Sequence, residues 1–457
     1  MGHNLGEALK SVLPAPDVEM LKLIAGVAGT QGVRLFAVGG LPRDLALGRM
    51  PSDFDLVVEG SAVALSRALV GEFGGTFTEH SRFGTVQWHL ERSRTPWGLA
   101  VHNGGTPARR MLIDLVSARS ESYARPAALP QVAFGGIEDD LRRRDFTINT
   151  LALRLDGPHY GEVLDPLDAM GDLQRRLIRA LHEASFRDDP TRMLRAIRYE
   201  KRLGFRIDPG TLRLIPTGTI WLRHVSAHRL RQELNAALDE EQAASMVRRM
   251  GTLGLLHPIH PDLPVDGGSI RRLRVESDLG NDRQPPAQKA DEARIRWLLW
   301  FLDLSPVQMR SIWRRLLFDS HMTAQMLAAA SLWHRRHGLA RLRPSQLSMS
   351  LDEMPRISVR AVERALPGGR SKKMLQKYLA KWRTQRPITN GSDLRRRGIA
   401  PGPVYREILQ HLRAGWIDGS IRNAAQERQT LESWLEGHKP RRKAGQMRHT
   451  PSRRTNN

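Results

Sequence analysis

Apolar and polar positions alternate with a period of two in four short segments between residues 33 and 154. Because successive side chains of a strand point to opposite faces of a sheet, the segments RLFAV, DFDLVV, GTVQWHLE and LIDLVSAR are predicted β-strands. Between them, SAVALSRALVGEF has the apolar spacing of an amphipathic helix and ends at Gly74 and Gly75. This part of the chain is therefore expected to form a small α/β domain.

Helical spacing dominates the chain from the segment DDPTRMLRAIRY onward. Proline and glycine clusters such as HPIHPDLPVDGG and ITNGSDL divide this part into several groups of helices. The predicted fold class is an α/β N-terminal head, with a small mixed sheet and helices, followed by a mostly α-helical remainder. The last stretch, HKPRRKAGQMRHTPSRRTNN, lacks acidic residues and has almost no apolar ones, which predicts a disordered basic tail.

The charge of the chain narrows the partners that it is expected to bind. A formal net charge of +23 over 457 residues favours a polyanion, with nucleic acid ahead of an anionic membrane surface. No apolar run is long enough to span a membrane, and the N-terminus lacks the pattern of a signal peptide, so a cytoplasmic location is expected. The absence of cysteine excludes disulfides, thiolate metal sites and cysteine nucleophiles.

Asp53 and Asp55 end an apolar stretch and, on a strand, would project from the same face. Two neighbouring carboxylates repel each other unless a cation holds them, and their hard oxygen ligands suit Mg²⁺ together with substrate phosphates. The glycine pair Gly39 and Gly40, at the end of the preceding strand, would let a phosphate approach the backbone closely. A solvated strand end is the alternative interpretation of the two aspartates.

Five ordered blocks extend this pattern over roughly residues 33 to 238. They are GGLPRDLALGRMPSDFDLV, EDDLRRRDFTINTLAL, DPLDAMGDLQRRLIRA, FRDDPTRMLRAIRYEKRLGF and SAHRLRQELNAAL. Together they resemble the signature of the class II tRNA nucleotidyltransferase and poly(A) polymerase family. The continuation DLVVEGSAVALSRAL looks more like the subset of the family that includes enzymes adding only CC or only A.

The resemblance implies that Asp53 and Asp55 bind Mg²⁺ and that a third catalytic carboxylate follows on a later strand, for which Asp114 is the candidate. The alternative for Asp114 is an ordinary aspartate on an edge strand. Arg43 and Asp44 are expected at a helix start that favours phosphate, although Arg43 is equally suited to a structural ion pair. The predicted nucleotide-binding residues are Gly39, Gly40, Arg43, Arg144, Asp145, Asn149, Asp189, Arg192, Arg195 and Arg198.

Within that set, Arg144 and Asp145 match the family residues that contact the ribose, while Asn149 is expected to brace the fold. Asp189 and Arg192, three residues apart on a predicted helix, match the pair that reads the base. A carboxylate and a guanidinium complement the amino group and ring acceptor of cytosine and adenine, and would reject uracil and guanine. The alternative is that Asp189, followed by Pro190, only caps a helix.

We therefore predict an enzyme, a magnesium-dependent nucleotidyltransferase that adds CMP, AMP or both from CTP and ATP to the 3′ end of tRNA without a template. The alternatives are a poly(A) polymerase acting on RNA 3′ ends and a catalytically inactive RNA-binding protein. The predicted domains are a catalytic head at residues 1–157, a helical base-reading and RNA-binding neck at 158–265, a tRNA-binding body and tail at 266–437, and the basic tail at 438–457. The expected partners include no membrane, and the sequence leaves the oligomeric state open.

Overall fold

The computed structural model describes residues 4–51, 53–80, 84–91, 110–274 and 286–438. Its strands are β1 Arg34–Val38, β2 Asp55–Glu59, β3 Thr76–His80, β4 Thr85–Glu91, β5 Arg110–Ser117, β6 Arg119–Ser122, β7 Gln131–Phe134, β8 Ala152–Arg154, β9 Val163–Leu164, β10 Leu177–Ile178 and β11 Arg206–Ile207. The first helices are α1 Gly6–Val12, α2 Ala15–Thr30, α3 Gly40–Ala46, α4 Ala62–Phe73, α5 Ile137–Arg142, α6 Ala169–Arg175, α7 Ser185–Asp188, α8 Thr191–Leu203, α9 Pro209–Gly218, α10 Ala227–Leu238, α11 Ala243–Thr252 and α12 Leu256–Ile259. The remaining α-helices are α13 Gly267–Leu273, α14 Pro286–Phe301, α15 Pro306–Leu316, α16 Ser320–His334, α17 Arg336–Leu339, α18 Pro344–Leu351, α19 Arg356–Ala365, α20 Gly369–Lys377, α21 Gly391–Arg396, α22 Pro403–Asp418 and α23 Ala424–Gly437.

Seven of the described strands form one mixed sheet in the order β3-β4-β5-β2-β1-β8-β9. In this sheet β2 and β5 run parallel, and the other neighbouring strands run antiparallel. Strand β6 pairs with β7 in a separate hairpin, which leads into helix α5. The fold class predicted from the sequence is confirmed, because the sheet and its helices come first and the rest of the described chain is mostly helical.

Both faces of the central strands are buried, because helices cover one face and the α5 region covers the other. On β1, Leu35 and Ala37 belong to the core beneath helices α1, α2 and α4, whereas Phe36 and Val38 belong to the core beside Ile137. Because side chains alternate along a strand, odd-numbered residues of β1 pack on one face of the sheet and even-numbered residues pack on the other. This two-sided burial holds the carboxyl end of β1 and the start of β2 in place, and the candidate site lies there.

The predicted helix SAVALSRALVGEF is confirmed as α4. Ser61 Oγ accepts a hydrogen bond of 3.1 Å from the Ala64 amide at its start, and Gly74 ends it with a φ of +76°. The predicted strand DFDLVV is shorter than expected, since β2 begins at Asp55 and Asp53 precedes it. Leu56 and Val58 are fully buried in the core, as the alternation predicts.

The chain divides into two compact units, the first comprising Met1–Gln284 with Arg310–Phe318 and the second Pro285–Met309 with Asp319–Asn457. The four domain boundaries drawn from the sequence stay predictions, and residues 439–457 of the predicted disordered tail lie outside the described residues. Among the helices that the structure describes, none combines the length and the apolar character needed to cross a membrane.

Candidate active site

The glycine pair after β1 places the backbone next to two functional side chains. β1 ends at Val38, Gly39 has a φ of +67°, and helix α3 begins at Gly40. A Cβ atom on residue 39 would lie 2.8 Å from Arg144 Nη1 and 3.6 Å from Asp55 Oδ2. Glycine suits this position for two reasons, because side chains disfavour this φ and because Arg144 fills the adjacent space.

Arg43 and Asp44 lie in the last turn of α3, so the prediction that they mark a helix start is wrong. The positive φ of Gly39 ends the strand so abruptly that the helix already begins at Gly40. Arg43 Nε and Nη2 donate to the Asp44 carboxylate over 2.8 and 2.9 Å, and Nη1 donates to Asn149 Oδ1 over 2.8 Å. The ion pair considered as an alternative for Arg43 is thus present, and it fixes a buried guanidinium at the cavity wall.

Three carboxylates approach one another where β2 and β5 run side by side. Asp55 is the first residue of β2, and its Cα partner in the parallel ladder is Asp114 of β5. Asp114 Oδ1 accepts a hydrogen bond of 3.0 Å from Gln87 Nε2. Asp53 and Asp55 line the cavity, whereas Asp114 is not among its described lining residues.

The electrostatic state of Asp55 fits a cation-binding role. Burial raises the pKa of Asp55, Arg144 opposes this shift, and the carboxylates of Asp114 and Asp53 add to it. In the described parts of the chain, no group of three or more His, Asp or Glu residues is arranged to hold a metal ion. Two carboxylates nevertheless fit Mg²⁺, which usually takes one or two from the protein and the rest of its ligands from water and substrate phosphates.

Arg143 and Arg144 are both held by Asp140, which is fully buried at the end of α5. Arg144 Nη2 donates to Asp140 Oδ2 over 2.8 Å, and Arg143 Nη2 donates to Oδ1 over 2.5 Å. Arg143 Nη1 also donates to Glu121 Oε1 over 3.0 Å. One buried carboxylate therefore orients two cationic side chains toward the same cavity.

Asp145 is the centre of a second buried network. Its Oδ1 accepts from the Phe146 amide and from Asn149 Nδ2 over 2.9 and 2.8 Å, and its Oδ2 accepts from Arg195 Nε over 2.7 Å. Burial opposes ionisation, but Arg195 and Asn149 outweigh it and lower the pKa of Asp145 to about 2. Asn149 joins Asp145 to Arg43 through the two polar atoms of its side chain.

The lowered pKa of Asp145 predicts a specific loss of stability in acid. Because its folded pKa lies below the unfolded value of about 3.9, the stabilisation is complete above that value and is lost as the pH falls toward 2. We expect this one group to contribute about 2 kcal/mol to the free energy of unfolding over that window. Urea unfolding of the parent and of Asp145→Asn, compared from pH 5 to pH 2, measures the contribution. Parallel pH profiles for the two proteins would contradict it.

Tyr199 on α8 lies among three of the cavity arginines. The guanidinium carbons of Arg43, Arg195 and Arg198 lie 5.4, 5.7 and 5.7 Å from the centre of its ring, and Arg195 Nη2 donates to its hydroxyl over 3.2 Å. Arg198 Nη1 donates to Glu233 Oε2 over 3.3 Å. The aromatic face and this carboxylate together stabilise a concentration of positive charge that suits a polyphosphate.

Asp189 does not share a helix with Arg192, so that part of the sequence prediction is wrong. Asp189 has extended backbone angles and precedes α8, because the residue before a proline is disfavoured in the helical conformation. Its Oδ1 accepts from the Thr191 amide and hydroxyl over 3.0 and 2.6 Å and from Arg229 Nη2 over 2.5 Å. The helix-capping alternative is therefore partly realised, although Asp189 and Arg192 still line the same cavity.

Arg192 presents an unused donor. Its side chain is buried, and its Nη2 donates to the Arg143 backbone carbonyl over 2.7 Å. Its Nη1 is also buried and has no hydrogen-bond partner among the residues that the structure describes. A buried donor without a partner costs free energy, and a ligand that accepts its hydrogen bond would remove this cost.

Every predicted site residue except Asp114 lines one cavity of about 410 Å³. Its described lining residues are Gly39, Gly40, Arg43, Asp44, Asp53, Asp55, Glu121, Tyr123, Arg143, Arg144, Asp145, Asn149, Asp189, Arg192, Arg195, Arg198, Tyr199 and Arg202. The roles assigned to these residues from the sequence stay predictions.

Sequence reasoning missed Glu121, Tyr123, Arg143, Tyr199 and Arg202. A signal for the first two was present, since Arg119, Glu121 and Tyr123 recur at every second position, as on one face of a strand. That signal was weak, because nothing in the sequence places the β6–β7 hairpin beside the other blocks. Tyr199 lies four residues after Arg195, and Arg202 lies four residues after Arg198, as on one face of a helix. The sequence analysis therefore identified only part of the α8 face that lines the cavity.

Comparison with known proteins identifies two family matches. Residues 35–179 match the "Poly A polymerase head domain", and residues 204–265 match the "Probable RNA and SrmB- binding site of polymerase A". The A-adding tRNA nucleotidyltransferase of Halalkalibacterium halodurans is 29% identical over 447 residues, which cover 96% of this chain and 97% of that protein. The CC-adding tRNA nucleotidyltransferase of Deinococcus radiodurans is 29% identical over 433 residues, with coverage of 94% and 97%.

Solved structures share the fold over nearly the whole chain. The apo form II of a CCA-adding enzyme superposes with a TM-score of 0.76 at 24% identity, covering 95% of this chain and 99% of that one. The Thermotoga maritima CCA-adding enzyme, complexed with tRNA, gives a TM-score of 0.71 at 24% identity, with coverage of 94% and 99%. At this level of identity the structural likeness concerns the fold alone.

Proposed function

Because the chain belongs to the tRNA nucleotidyltransferase and poly(A) polymerase family, we propose that it adds CMP, AMP or both to the 3′ end of tRNA, using CTP and ATP without a template. The full-length relatives named above act on tRNA and include both an A-adding and a CC-adding enzyme. A cytoplasmic location is part of this proposal.

The observation that carries the proposal is that groups suited to a metal ion and groups suited to a nucleotide line one cavity. Asp53 and Asp55 supply carboxylates suited to a divalent cation, and the same cavity is lined by Arg192, whose buried Nη1 has no hydrogen-bond partner among the described residues. The arginines of the lining provide positive charge for a triphosphate. A nucleoside triphosphate is the ligand whose two ends match these two groups.

The reaction is the attack of the RNA 3′-hydroxyl oxygen on the α-phosphorus of the nucleotide, with release of pyrophosphate. Mg²⁺ bound by Asp53 and Asp55 would polarise the phosphate oxygens and neutralise charge that develops in the transition state. The missing side chain of Gly39 leaves room for Arg144, which Asp140 orients and which lines the same cavity. Holding the nucleotide in this orientation accounts for much of the expected rate increase.

Base selection falls to the part of the cavity around Asp189 and Arg192. Arg192 Nη1 would donate to the ring nitrogen acceptor that cytosine and adenine both offer next to their amino groups. Uracil and guanine present an N–H in the corresponding place and would leave two donors facing each other. This arrangement would exclude UTP and GTP without a template.

The test is incorporation of each of the four labelled nucleotides, with Mg²⁺, onto tRNA transcripts that end before, within and after the CC of the CCA end. Stepwise addition of CC, A or CCA, resolved to single nucleotides, is the expected result and identifies the subtype. Long adenylate tails on RNA would instead identify a poly(A) polymerase. No incorporation under any condition would identify an RNA-binding protein without catalysis.

The second unit offers a surface for the tRNA substrate. A groove of about 980 Å³ there is lined by exposed arginines at positions 383, 386 and 406, together with Tyr405. Arg413 in the same groove is paired with Asp352, since its Nη2 donates to Asp352 Oδ1 over 3.1 Å. The exposed arginines suit contacts with phosphates, which contribute affinity irrespective of base sequence.

Replacing Arg383, Arg386 and Arg406 together by glutamine is expected to weaken tRNA binding about tenfold at physiological salt. The slope of log affinity against log salt should fall in magnitude by about 2, because each lost phosphate contact contributes roughly 0.7 to 0.9. Filter binding across a salt series measures both quantities. A matched control, in which the exposed Arg341, Arg356 and Arg428 are replaced instead, keeps the same net charge. Equal effects of the two triple variants would contradict a specific groove.

A further inference from the structure

Tyr123 lines the candidate nucleotide cavity, yet neither the sequence motifs nor the proposed chemistry uses it. It follows strand β6, outside the blocks that carry the family resemblance. Its hydroxyl donates to Glu121 Oε2 over 3.2 Å, and Glu121 Oε1 accepts from Arg143 Nη1 over 3.0 Å and pairs with Arg119 Nη2 at 3.2 Å. Both oxygens of Glu121 are thus engaged, and the carboxylate fixes the direction of the Tyr123 O–H bond.

The same network leads to the base-reading region. Arg143 donates to Glu121 through its side chain and accepts from Arg192 Nη2 through its backbone carbonyl over 2.7 Å. Tyr123 and Arg192 are therefore held relative to each other by Glu121 and Arg143, and both face one cavity. Arg192 and Asp189 are also close enough to Tyr123 to act on its ionisation electrostatically.

A hydroxyl that already donates its single proton in one hydrogen bond can only accept a hydrogen bond from a ligand. Burial raises the pKa of Tyr123 to about 12, so the phenol stays protonated at neutral pH and donates its hydrogen bond to Glu121. Toward the cavity Tyr123 is consequently an acceptor. Asp189, the acceptor assigned from the sequence, already receives hydrogen bonds from Thr191 and Arg229 on its Oδ1.

We propose that the Tyr123 hydroxyl is a specificity-determining acceptor for the exocyclic amino group of the incoming nucleobase. The inference rests on the proposed function, because it concerns the nucleotide that occupies this cavity. Cytosine and adenine carry an amino group that donates to the hydroxyl, whereas uracil and guanine carry a carbonyl at the corresponding position, whose oxygen would face the lone pairs of the hydroxyl. Tyr123 thus acts together with Arg192 Nη1, one as acceptor and the other as donor.

The first test is Tyr123→Phe, assayed by single-turnover incorporation of all four nucleotides onto the tRNA that the parent extends. The preference for CTP or ATP over UTP or GTP should fall about fivefold, the effect typical of one neutral hydrogen bond. Tyr160→Phe is the matched control, because Tyr160 lies outside the cavity and its buried hydroxyl has no hydrogen-bond partner among the described residues. Unchanged preference in Tyr123→Phe, even with a uniform loss of rate for all four nucleotides, would overturn the proposal.

Glu121→Gln provides a second test that keeps Tyr123 in place. Arg143 and Arg119 require an acceptor, so the amide oxygen should take the Oε1 position and the amide NH₂ should face Tyr123. The tyrosine would then accept from the glutamine and turn its own proton toward the cavity, which reverses its preference. We expect discrimination against UTP and GTP to fall at least as far as in Tyr123→Phe. Retained discrimination would contradict the proposal, whereas a parent protein that incorporates no nucleotide would refute the proposed function instead.

Discussion

Replacing Asp55 by asparagine is expected to lower nucleotide incorporation about a thousandfold and to leave the protein at least as stable as the parent. The rate should fall because the ion that neutralises the transition state contributes several kcal/mol, and each 1.36 kcal/mol corresponds to a factor of ten. Stability should not fall, because burial and the neighbouring carboxylates raise the pKa of Asp55. A carboxyl whose folded pKa is raised costs folding free energy when ionised at neutral pH, and asparagine removes that cost.

The two effects are measured by single-turnover incorporation and by urea unfolding at pH 7. Glu72→Gln, on the exposed side of α4, removes a carboxylate of the same domain away from the cavity and should change neither quantity. A variant of Asp55 that keeps a tenth or more of the parent rate would refute its role in metal binding. A large loss of stability would show that Asp55 supports the fold instead.

Gly39→Ala is the second substitution with a large expected effect. Its Cβ would meet Arg144 Nη1 at 2.8 Å, and the cheapest relief is a movement of that side chain away from the cavity. We expect incorporation to fall about a hundredfold, since a displacement of about 1 Å in a positioning group has effects of this size. The free energy of unfolding should also fall, by about 1 to 3 kcal/mol, because Gly39 combines a φ of +67° with a ψ of −113°, which lies outside the left-handed helical region and strains any L residue.

Gly32→Ala tests the effect of a positive φ without the displacement of a neighbouring side chain. Gly32 has the same φ of +67°, and no heavy atom lies within 4 Å of the Cβ that alanine would add. Gly32→Ala should therefore lose some stability and no activity, whereas Gly39→Ala loses both. If both variants retain the parent rate of incorporation, the close approach between residue 39 and Arg144 has no part in nucleotide binding.

The sequence was informative where local patterns and chemistry coincide. Asp53 and Asp55 could be placed together because the apolar residues after them fix the orientation of a buried strand. The position of Asp189 was predicted less well, although Pro190 carried the necessary signal, since it excludes the preceding residue from the helix. The pairing of Asp189 with Arg229 had no local signal at all, because it joins the extended segment before α8 to helix α10, 40 positions further along the chain.

The contribution of Glu121 and Tyr123 could not be derived in this way. They lie in a hairpin outside the main sheet, and only packing against α5 brings them to Arg143. Arg143, which bonds to Glu121, lies 22 positions away in the sequence. Alternation along the strand therefore identifies which side chains share a face, but it does not identify the residues that pack against that face. The fold class and the placement of Asp53 and Asp55 beside one cavity were thus accessible from the sequence, whereas the contacts that bring Glu121 and Tyr123 to that cavity required the structure.

The cavity is assembled from residues far apart along the chain, and this has a consequence during protein synthesis. Arg43 bonds to Asn149 across 106 positions, and Asp189 bonds to Arg229 across 40. Contacts of such separation form late, because closing the long intervening loop costs conformational entropy. A nascent chain on the ribosome therefore exposes the aspartates and arginines of this site long before they can meet. Nucleotide binding should appear abruptly, only once the chain beyond Arg229 has emerged.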